Sequence, residues 1–348
     1  MDSKKPLYAH ISMFMACAIW GLMSPLGKDA MTNGLDGITM VSFRVGGGAI
    51  LFWLTALLMK TSSPKRPNDP TTNLPNDPTT NLPNDQSPKR PNTRDKFMFA
   101  VAAIFGLVCN QCCFTIGLSI TSPVNASIVT TSMPIFAMIL SFFILREPLT
   151  FKKVGGVFIG CAGAITLILT SVTAANAKVG DIRGDLLVLG AQLSYALFLS
   201  FFNKFIKKYD IITVNKWMFL WATIMIWPFT IWHMISDIQW AAVPLQTWLE
   251  TAYVVAFGTF IGYILVVNAQ KILRPTVVSI YNYVQPAVAV TVSLLTGIGV
   301  FKWSQGLAVI LVFVGVWLVT KSKSRRDMEK EQGARSEEQG ARCKEQGA

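Results

Sequence analysis

Ten stretches of roughly twenty mostly apolar residues run through the chain, at 8–30, 38–60, 97–119, 124–145, 153–172, 184–206, 214–236, 248–270, 276–299 and 303–321. A helix of that length crosses a hydrocarbon core about 30 Å thick, and in lipid an open chain must satisfy its own backbone groups as a helix. An all-α integral membrane protein with ten transmembrane helices is therefore expected. Composition points the same way, because 52% of the 348 residues are hydrophobic and only 14% are charged. Most polar residues collect in a loop at 61–96 and in a tail beyond 321.

Charge placement then predicts an orientation. Lys4, Lys5, Lys65, Arg66, Lys89, Arg90, Arg94, Lys96, Arg146, Lys152, Lys153, Lys204, Lys207, Lys208, Lys216, Lys271, Arg274 and the tail cations all fall on one set of alternate connections. The other set holds Lys28, Lys178, Arg183 and Lys302, near Asp29, Asp181 and Asp185. Cytoplasmic loops carry the excess of Lys and Arg, so both termini are expected in the cytoplasm and the chain in the cytoplasmic (inner) cell membrane. The net charge of +12 reports this orientation rather than a nucleic-acid partner, since no folded domain presents a basic face.

Residues 1–7 lead straight into a stretch too long for a signal-peptide core, so that stretch is expected to stay as the first helix. Two low-complexity segments are expected to be disordered and cytoplasmic. One repeats Pro-Asn-Asp-Pro-Thr-Thr-Asn-Leu within 67–82, and the other repeats Glu-Gln-Gly-Ala from 331 onward. Cys109, Cys112 and Cys113 lie together in an apolar stretch with no second Cys pair or His nearby, so they are expected as packing residues and neither a metal nor a cofactor is anticipated.

A duplication organises the whole chain. The run from Thr121 to Pro134 aligns with that from Leu273 to Pro286, with Pro123 and Pro275 opening a helix and Pro134 and Pro286 following eleven residues later. Gly163 and Gly315 each come twenty-nine residues after the second proline. Five spans per half put the second copy into the membrane from the opposite side, so the repeat is inverted. Three parts are expected: a first repeat over 1–172 that contains the 61–96 loop, a second over 173–321, and the tail 322–348. Such halves form a site at mid-membrane that rocking exposes to each side in turn. Pro134 and Pro286 are hinge candidates, because a mid-span proline frees the carbonyl four residues earlier, here Thr130 and Asn282.

Ala18-Ile-Trp-Gly-Leu in the first span, Ser42-Phe-Arg44 in the second, and the run from Pro134 through Arg146-Glu-Pro-Leu-Thr150 to Gly155 resemble the EamA-like branch of the drug/metabolite transporter superfamily. The resemblance covers nearly the whole chain and implies ten spans in two inverted repeats. It also implies export or exchange of amino acids or similar metabolites through a central cavity. The chain departs from the family pattern in two places: Gly299 stands where the first repeat has Glu147, and the loop between the second and third spans is long.

Arg44 sits about two turns inside its span, where an unpaired charge is expensive, so it is expected to face a cavity or a partner such as Asp29 or Glu250. In a cavity its guanidinium would bind a carboxylate or phosphate. Further cavity candidates are Trp20, Asn110, Gln111, Gln192, Tyr195, Tyr281, Asn282, Tyr283 and Gln285, each of which could equally bond a neighbouring helix. Trp217, Trp221, Trp227 and Trp232 are expected to face lipid or interfacial belts. No Asp or Glu lies deep in any span, which leaves the substrate's own gradient as the expected driving force. The expected partners are a small-molecule substrate and the lipid bilayer. A sugar-phosphate or nucleotide-sugar carrier of the same superfamily is the alternative and would also use Arg44. An enzyme is not expected, as no His-Glu-x-x-His, intramembrane Asp pair or Gly-x-Ser-x-Gly is present.

Overall fold

The computed structural model describes residues 4–62, 91–121, 123–171, 181–295 and 303–323, with Met328 and Gln332. Helices and no strands occur among these residues. In chain order they are α1 (Lys4–Thr32), α2 (Gly37–Ser62), α3 (Thr93–Ile120), α4 (Pro123–Thr130), α5 (Met133–Leu145), α6 (Phe151–Ser171) and α7 (Ile182–Phe201). There follow the one-turn α8 (Asn203–Ile206), then α9 (Ile211–Ser236), α10 (Leu245–Ile272), α11 (Pro275–Ile280), α12 (Val284–Leu295) and α13 (Trp303–Thr320). Seven segments are long and apolar enough to cross a membrane: Pro6–Thr32, Gly37–Met59, Thr93–Ile120, Ile128–Leu145, Ile182–Phe201, Ile211–Ser236 and Leu245–Ile272. Most of the 61–96 loop, most of the tail beyond 323 and Gly299 lie outside the described residues.

Four helices, α2, α3, α7 and α9, start where short polar residues cap them. Asp36, Asn92, Asp181 and Asp210 each accept a backbone N–H two or three residues on, from Thr39, Asp95, Arg183 and Thr213, at 2.8–2.9 Å. Each bond satisfies one of the donors a helix start leaves open. Asn92 lets α3 begin at Thr93, several residues ahead of the expected 97. At the far end of α5, Arg146 adopts a left-handed conformation (φ 52°) that ends the helix. The turn is then held by Lys153, 1% exposed, whose Nζ donates to Glu147 Oε2 at 2.8 Å.

Two of the long helices carry a wide π turn, Ile104–Cys109 in α3 and Val254–Ile261 in α10. The fourth and ninth apolar stretches are each broken. Thr131 and Ser132 form a turn between α4 and α5, and Tyr281–Tyr283 is a 3-10 turn between α11 and α12. Pro134 and Pro286 therefore stand in the first turns of α5 and α12, where a missing N–H removes no hydrogen bond. This differs from the expected mid-helix kinks. The carbonyl that gains a partner at the first break is that of Thr131, which accepts from Tyr283 Oη at 3.2 Å.

The main pairings are α6 with α13, α2 with α9, α3 with α7, α1 with α10, α5 with α7 and α1 with α12. Glycines set the closest approaches. A Cβ on Gly315 would lie 2.6 Å from Gly156 O and 2.7 Å from Gly160 Cα, and one on Gly163 would lie 2.8 Å from Ala308 O. Gly117 and Gly184 would each place a Cβ 2.8 Å from the other's carbonyl oxygen, locking α3 to α7. Trp227, expected to face lipid or an interfacial belt, is 37% exposed, while one side of its ring lies against Gly46 and its Nε1–H donates to Ser42 O at 3.3 Å. Trp232, 77% exposed, does face outward.

Candidate functional site

Arg44 is 6% exposed on α2 and faces inward. Its one side-chain hydrogen bond among the described residues runs from Nε to Thr259 Oγ1 at 3.3 Å, and no carboxylate pairs with it. Neither expected partner reaches it, because Asp29 and Glu250 both accept from Gln246 Nε2, at 3.3 and 3.0 Å. The arginine lines a small cavity of about 20 Å³ with Met23, Gly27, Met31, Met40, Phe114, Thr115, Leu118 and Val254. That volume accommodates about one water molecule.

The π turn of α10 supplies the opposite wall. With the turn widened, Thr259 Oγ1 reaches back five residues and donates to Val254 O at 3.0 Å, leaving its oxygen to accept from Arg44. Gly258 O accepts from Trp20 Nε1 at 2.8 Å. One turn along, Tyr263 Oη accepts from Gln111 Nε2 at 3.0 Å, and its ring meets those of Trp20 and Phe219 edge-on, with centroids 5.9 and 5.1 Å apart. Thr115 lies one turn from Gln111 on α3 and lines the cavity. Thr115 Oγ1 and Gln111 Oε1 are both buried without a hydrogen-bond partner among the described residues. The arrangement is a buried cation beside unsatisfied polar atoms and a void, walled by three methionines and a phenylalanine. A buried polar group normally finds a partner, so this grouping is suited to an external acid group attached to an apolar body.

The structure thus brings Trp20, Arg44 and Gln111 together and disperses the other candidates. Asn110 Nδ2 donates to Ala191 O at 3.0 Å, turned toward α7. Tyr195 Oη accepts from Gln270 Nε2 at 3.2 Å, and Gln192 is buried on the same helix. Tyr281 Oη is 2.9 Å from His10 Nδ1. Asn282 Oδ1 accepts from Gln285 Nε2 at 3.1 Å and lies 3.9 Å from Cys17 Sγ. Tyr283, 1% exposed, packs its ring into the space beside Gly160.

Sequence reasoning passed over Thr115, Thr259, Tyr263 and Gln270. A signal was present for three of them, because Thr259, Tyr263 and Gln270 follow one another by four and seven residues and so share a helix face in α10. Among the described residues no group of three or more His, Cys, Asp or Glu side chains comes together to hold a metal. Cys109, Cys112 and Cys113 are partly buried and unbridged.

Comparison with known proteins turns this geometry into an identity. The model of the EamA-like transporter family matches residues 7–169 and 182–321. The chain is 23% identical to the uncharacterized transporter YyaM of Bacillus subtilis over 64% of its own length and 72% of the relative's. To the uncharacterized transporter YetK of the same organism it is 21% identical, over 67% and 71%. An uncharacterized transporter near the sor gene of Acidianus ambivalens is 27% identical over 58% of this chain and 74% of its own. A crystal structure shares the fold, with a TM-score of 0.65 at 15% identity over 90% of this chain and 96% of that one. The relatives are named transporters rather than enzymes. The chain is a multi-pass membrane transporter and belongs to the EamA-like transporter family.

Proposed function

We propose that the protein is a secondary transporter that exports or exchanges small carboxylates, amino acids among them, by alternating access, with Arg44 holding the acid group. The observation that carries this reading is the buried Arg44 guanidinium, with one neutral hydrogen bond, no ion pair among the described residues and a cavity beside it. A charge in that setting costs several kcal/mol unless something answers it, and a bidentate carboxylate does so. Thr115 lines that cavity, and Trp20, Gln111, Thr259 and Tyr263 form the hydrogen-bonded layer behind the guanidinium. The apolar remainder of the cavity suits a substrate with an aliphatic or aromatic body, and methionines adapt to several such shapes.

Alternating access rests on the reading of residues 1–172 and 173–321 as two inverted five-helix repeats. Several features support it. The two π turns fall in the third helix of each half. Each π turn has a carbonyl taken by a side chain from the first helix of the other half: Phe105 O by Ser194 Oγ at 2.8 Å, and Gly258 O by Trp20 at 2.8 Å. At the α6–α13 contact Gly315 meets Gly156 and Gly160, while Gly163 meets Ala308 and Val312. A constant offset of 152 residues interchanges these two sets. The breaks at Thr131–Ser132 and Tyr281–Tyr283 obey the same offset to within two residues and are the places where the halves would flex. The lysine and arginine distribution favours cytoplasmic termini in the cytoplasmic membrane.

The test is efflux of labelled amino acids and related carboxylates from cells expressing the wild type, Arg44→Ala or an empty vector. The reading expects wild-type efflux of some carboxylates and its loss in the variant at equal membrane levels. Equal efflux from wild type and empty vector would overturn it.

A further inference from the structure

The carboxyl groups of Asp29 on α1 and Glu250 on α10 meet at the α1–α2 loop end of the molecule. Both accept a hydrogen bond from the same amide nitrogen, Gln246 Nε2, at 3.3 and 3.0 Å, so the two acids lie within the span of one side-chain amide. Glu250 is 8% exposed, and its second oxygen, Oε2, is buried with no hydrogen-bond partner among the described residues. Nearby cations are occupied elsewhere. Lys28 Nζ donates to Leu118 O and Ser119 O at 2.9 and 3.3 Å, Arg44 is bound at Thr259, and His233 lies between Asp36 and Asp237 at 2.7 and 2.6 Å. The remaining titratable neighbour, Tyr253, donates its hydroxyl to Ile19 O at 3.4 Å. Among the described residues, two negative charges therefore face each other at the contact between the proposed halves, with one shared neutral donor and no cation paired with them. Like charges this close cannot both stay ionised at low cost, and an unpaired buried carboxylate oxygen adds a further penalty.

We propose that Asp29 and Glu250 share a single proton, which makes this end of the α1–α10 contact a proton-binding site whose occupancy decides whether the two helices stay together. Loading takes one proton from water. The new carboxylic O–H donates to the other acid, which gives Glu250 Oε2 its missing partner and reduces the pair from two negative charges to one. Release returns the proton to water and leaves two carboxylates repelling each other across the contact, which favours separation of α1 from α10. Val254, one turn along α10 from Glu250, lines the Arg44 cavity, so parting the helices here uncovers that cavity. Opening of this end is thereby linked to proton occupancy. This departs from the sequence expectation of a substrate gradient acting alone, because Glu250 is near the start of α10 in sequence yet buried in the fold.

Infrared spectroscopy of the purified full-length protein at neutral pH tests the idea without a substrate, so it stands or falls separately from the carboxylate reading. The wild type is expected to show the carbonyl stretch of a protonated carboxylic acid, and that band is expected to vanish in both Glu250→Gln and Asp29→Asn. Glu250→Gln keeps shape and hydrogen bonding; Asp29→Asn, at a partly exposed position, serves where the buried change disturbs folding, with size-exclusion chromatography as the check on both. Absence of the band from the wild type overturns the proposal, as does its survival in Glu250→Gln. Survival in Asp29→Asn would show a lone buried acid and overturn the sharing of the proton.

Discussion

The α6–α13 contact and the Arg44 pocket are both built where helices from opposite ends of the chain meet, yet they are packed in opposite ways. At α6–α13, glycines bring two backbones into van der Waals contact with no room for a side chain. Around Arg44, a widened turn, a void and two unpartnered oxygens leave space and hydrogen-bonding capacity unused. In a membrane, apolar side chains gain nothing by leaving lipid for protein, so close backbone packing and hydrogen bonds hold helices together. The first region uses that physics to stay closed. The second forgoes it, and in the transport mechanism we propose the first acts as the pivot and the second as the binding place.

Filling the pivot is expected to have the largest effect. A Gly315→Val change pushes a branched side chain into Gly156 O and Gly160 Cα, and backbone atoms cannot step aside. Overpacking typically costs about 1–3 kcal/mol and more where backbone must move, so a loss of about 3 kcal/mol or a failure to fold is expected. Thermal unfolding in detergent measures it. If Gly315→Val unfolds with the wild type, α6 and α13 are not held as described and the contrast collapses. Arg44→Ala should do the reverse, sparing the fold while lowering apparent substrate affinity by roughly ten- to a hundredfold, the worth of about 1.5–3 kcal/mol of charged hydrogen bonding. Arg44→Lys keeps the charge without the fork and should recover only part of the loss. Transport that survives Arg44→Ala would move the binding place elsewhere.

The equivalence of the glycines at α6–α13 was legible in the sequence although their contact was not, and the pocket was legible only in part, for a physical reason. Glycine spacing is periodic, and Gly163 and Gly315 stand at equal distances from Pro134 and Pro286, so equivalence could be read from the chain before any fold was known. Arg44 was legible because a cation in an apolar run has few places to go. Its partners were not, since Thr259 and Tyr263 look like ordinary span residues until the π turn of α10 rotates them toward α2 and α3. Hydropathy carries no sign of such a turn. It carries no sign either of which polar side chains bond a neighbouring helix, and so Asn110, Tyr195 and Tyr281 looked equivalent to Gln111 although each is bonded elsewhere. Proline was misleading at Pro134, where the break lies at Thr131–Ser132 and the ring merely opens the next helix.

A smaller effect is expected at Tyr263. Tyr263→Phe keeps the ring against Trp20 and Phe219 but leaves Gln111 Nε2 without an acceptor. Polar side-chain bonds between membrane helices average about 0.6 kcal/mol, so the unfolding midpoint should barely move. Transport should fall by a few fold, because Gln111 would no longer be held in place beside Thr115. A change in stability with unaltered transport would place this bond with the pivot's structural contacts instead.

The smallest effect belongs to the α1–α2 loop, where Asp36 accepts from the Thr39 N–H at 2.9 Å and from His233 Nε2 at 2.7 Å. Burial pushes the Asp36 carboxyl up, but the bonds from Thr39 and His233 outweigh it and hold the carboxyl below its ordinary value. A depressed carboxylate contributes stability above the ordinary aspartate range of about 3.9, and that contribution is lost as pH falls through the lower folded value. The wild-type unfolding midpoint should therefore decline as the pH falls below about 4, and Asp36→Asn should flatten that part of the curve. Asparagine caps a helix about as well as aspartate, so the α2 start survives and only the charge is removed. The Asp36 side chain is 38% exposed, and solvent screening keeps the contribution small. An Asp36→Asn curve that parallels the wild type would mean that the loop is held by its cap alone, and that α2 and α9 depend on Trp227 and Thr230, both bonded to Ser42, for their attachment at this end.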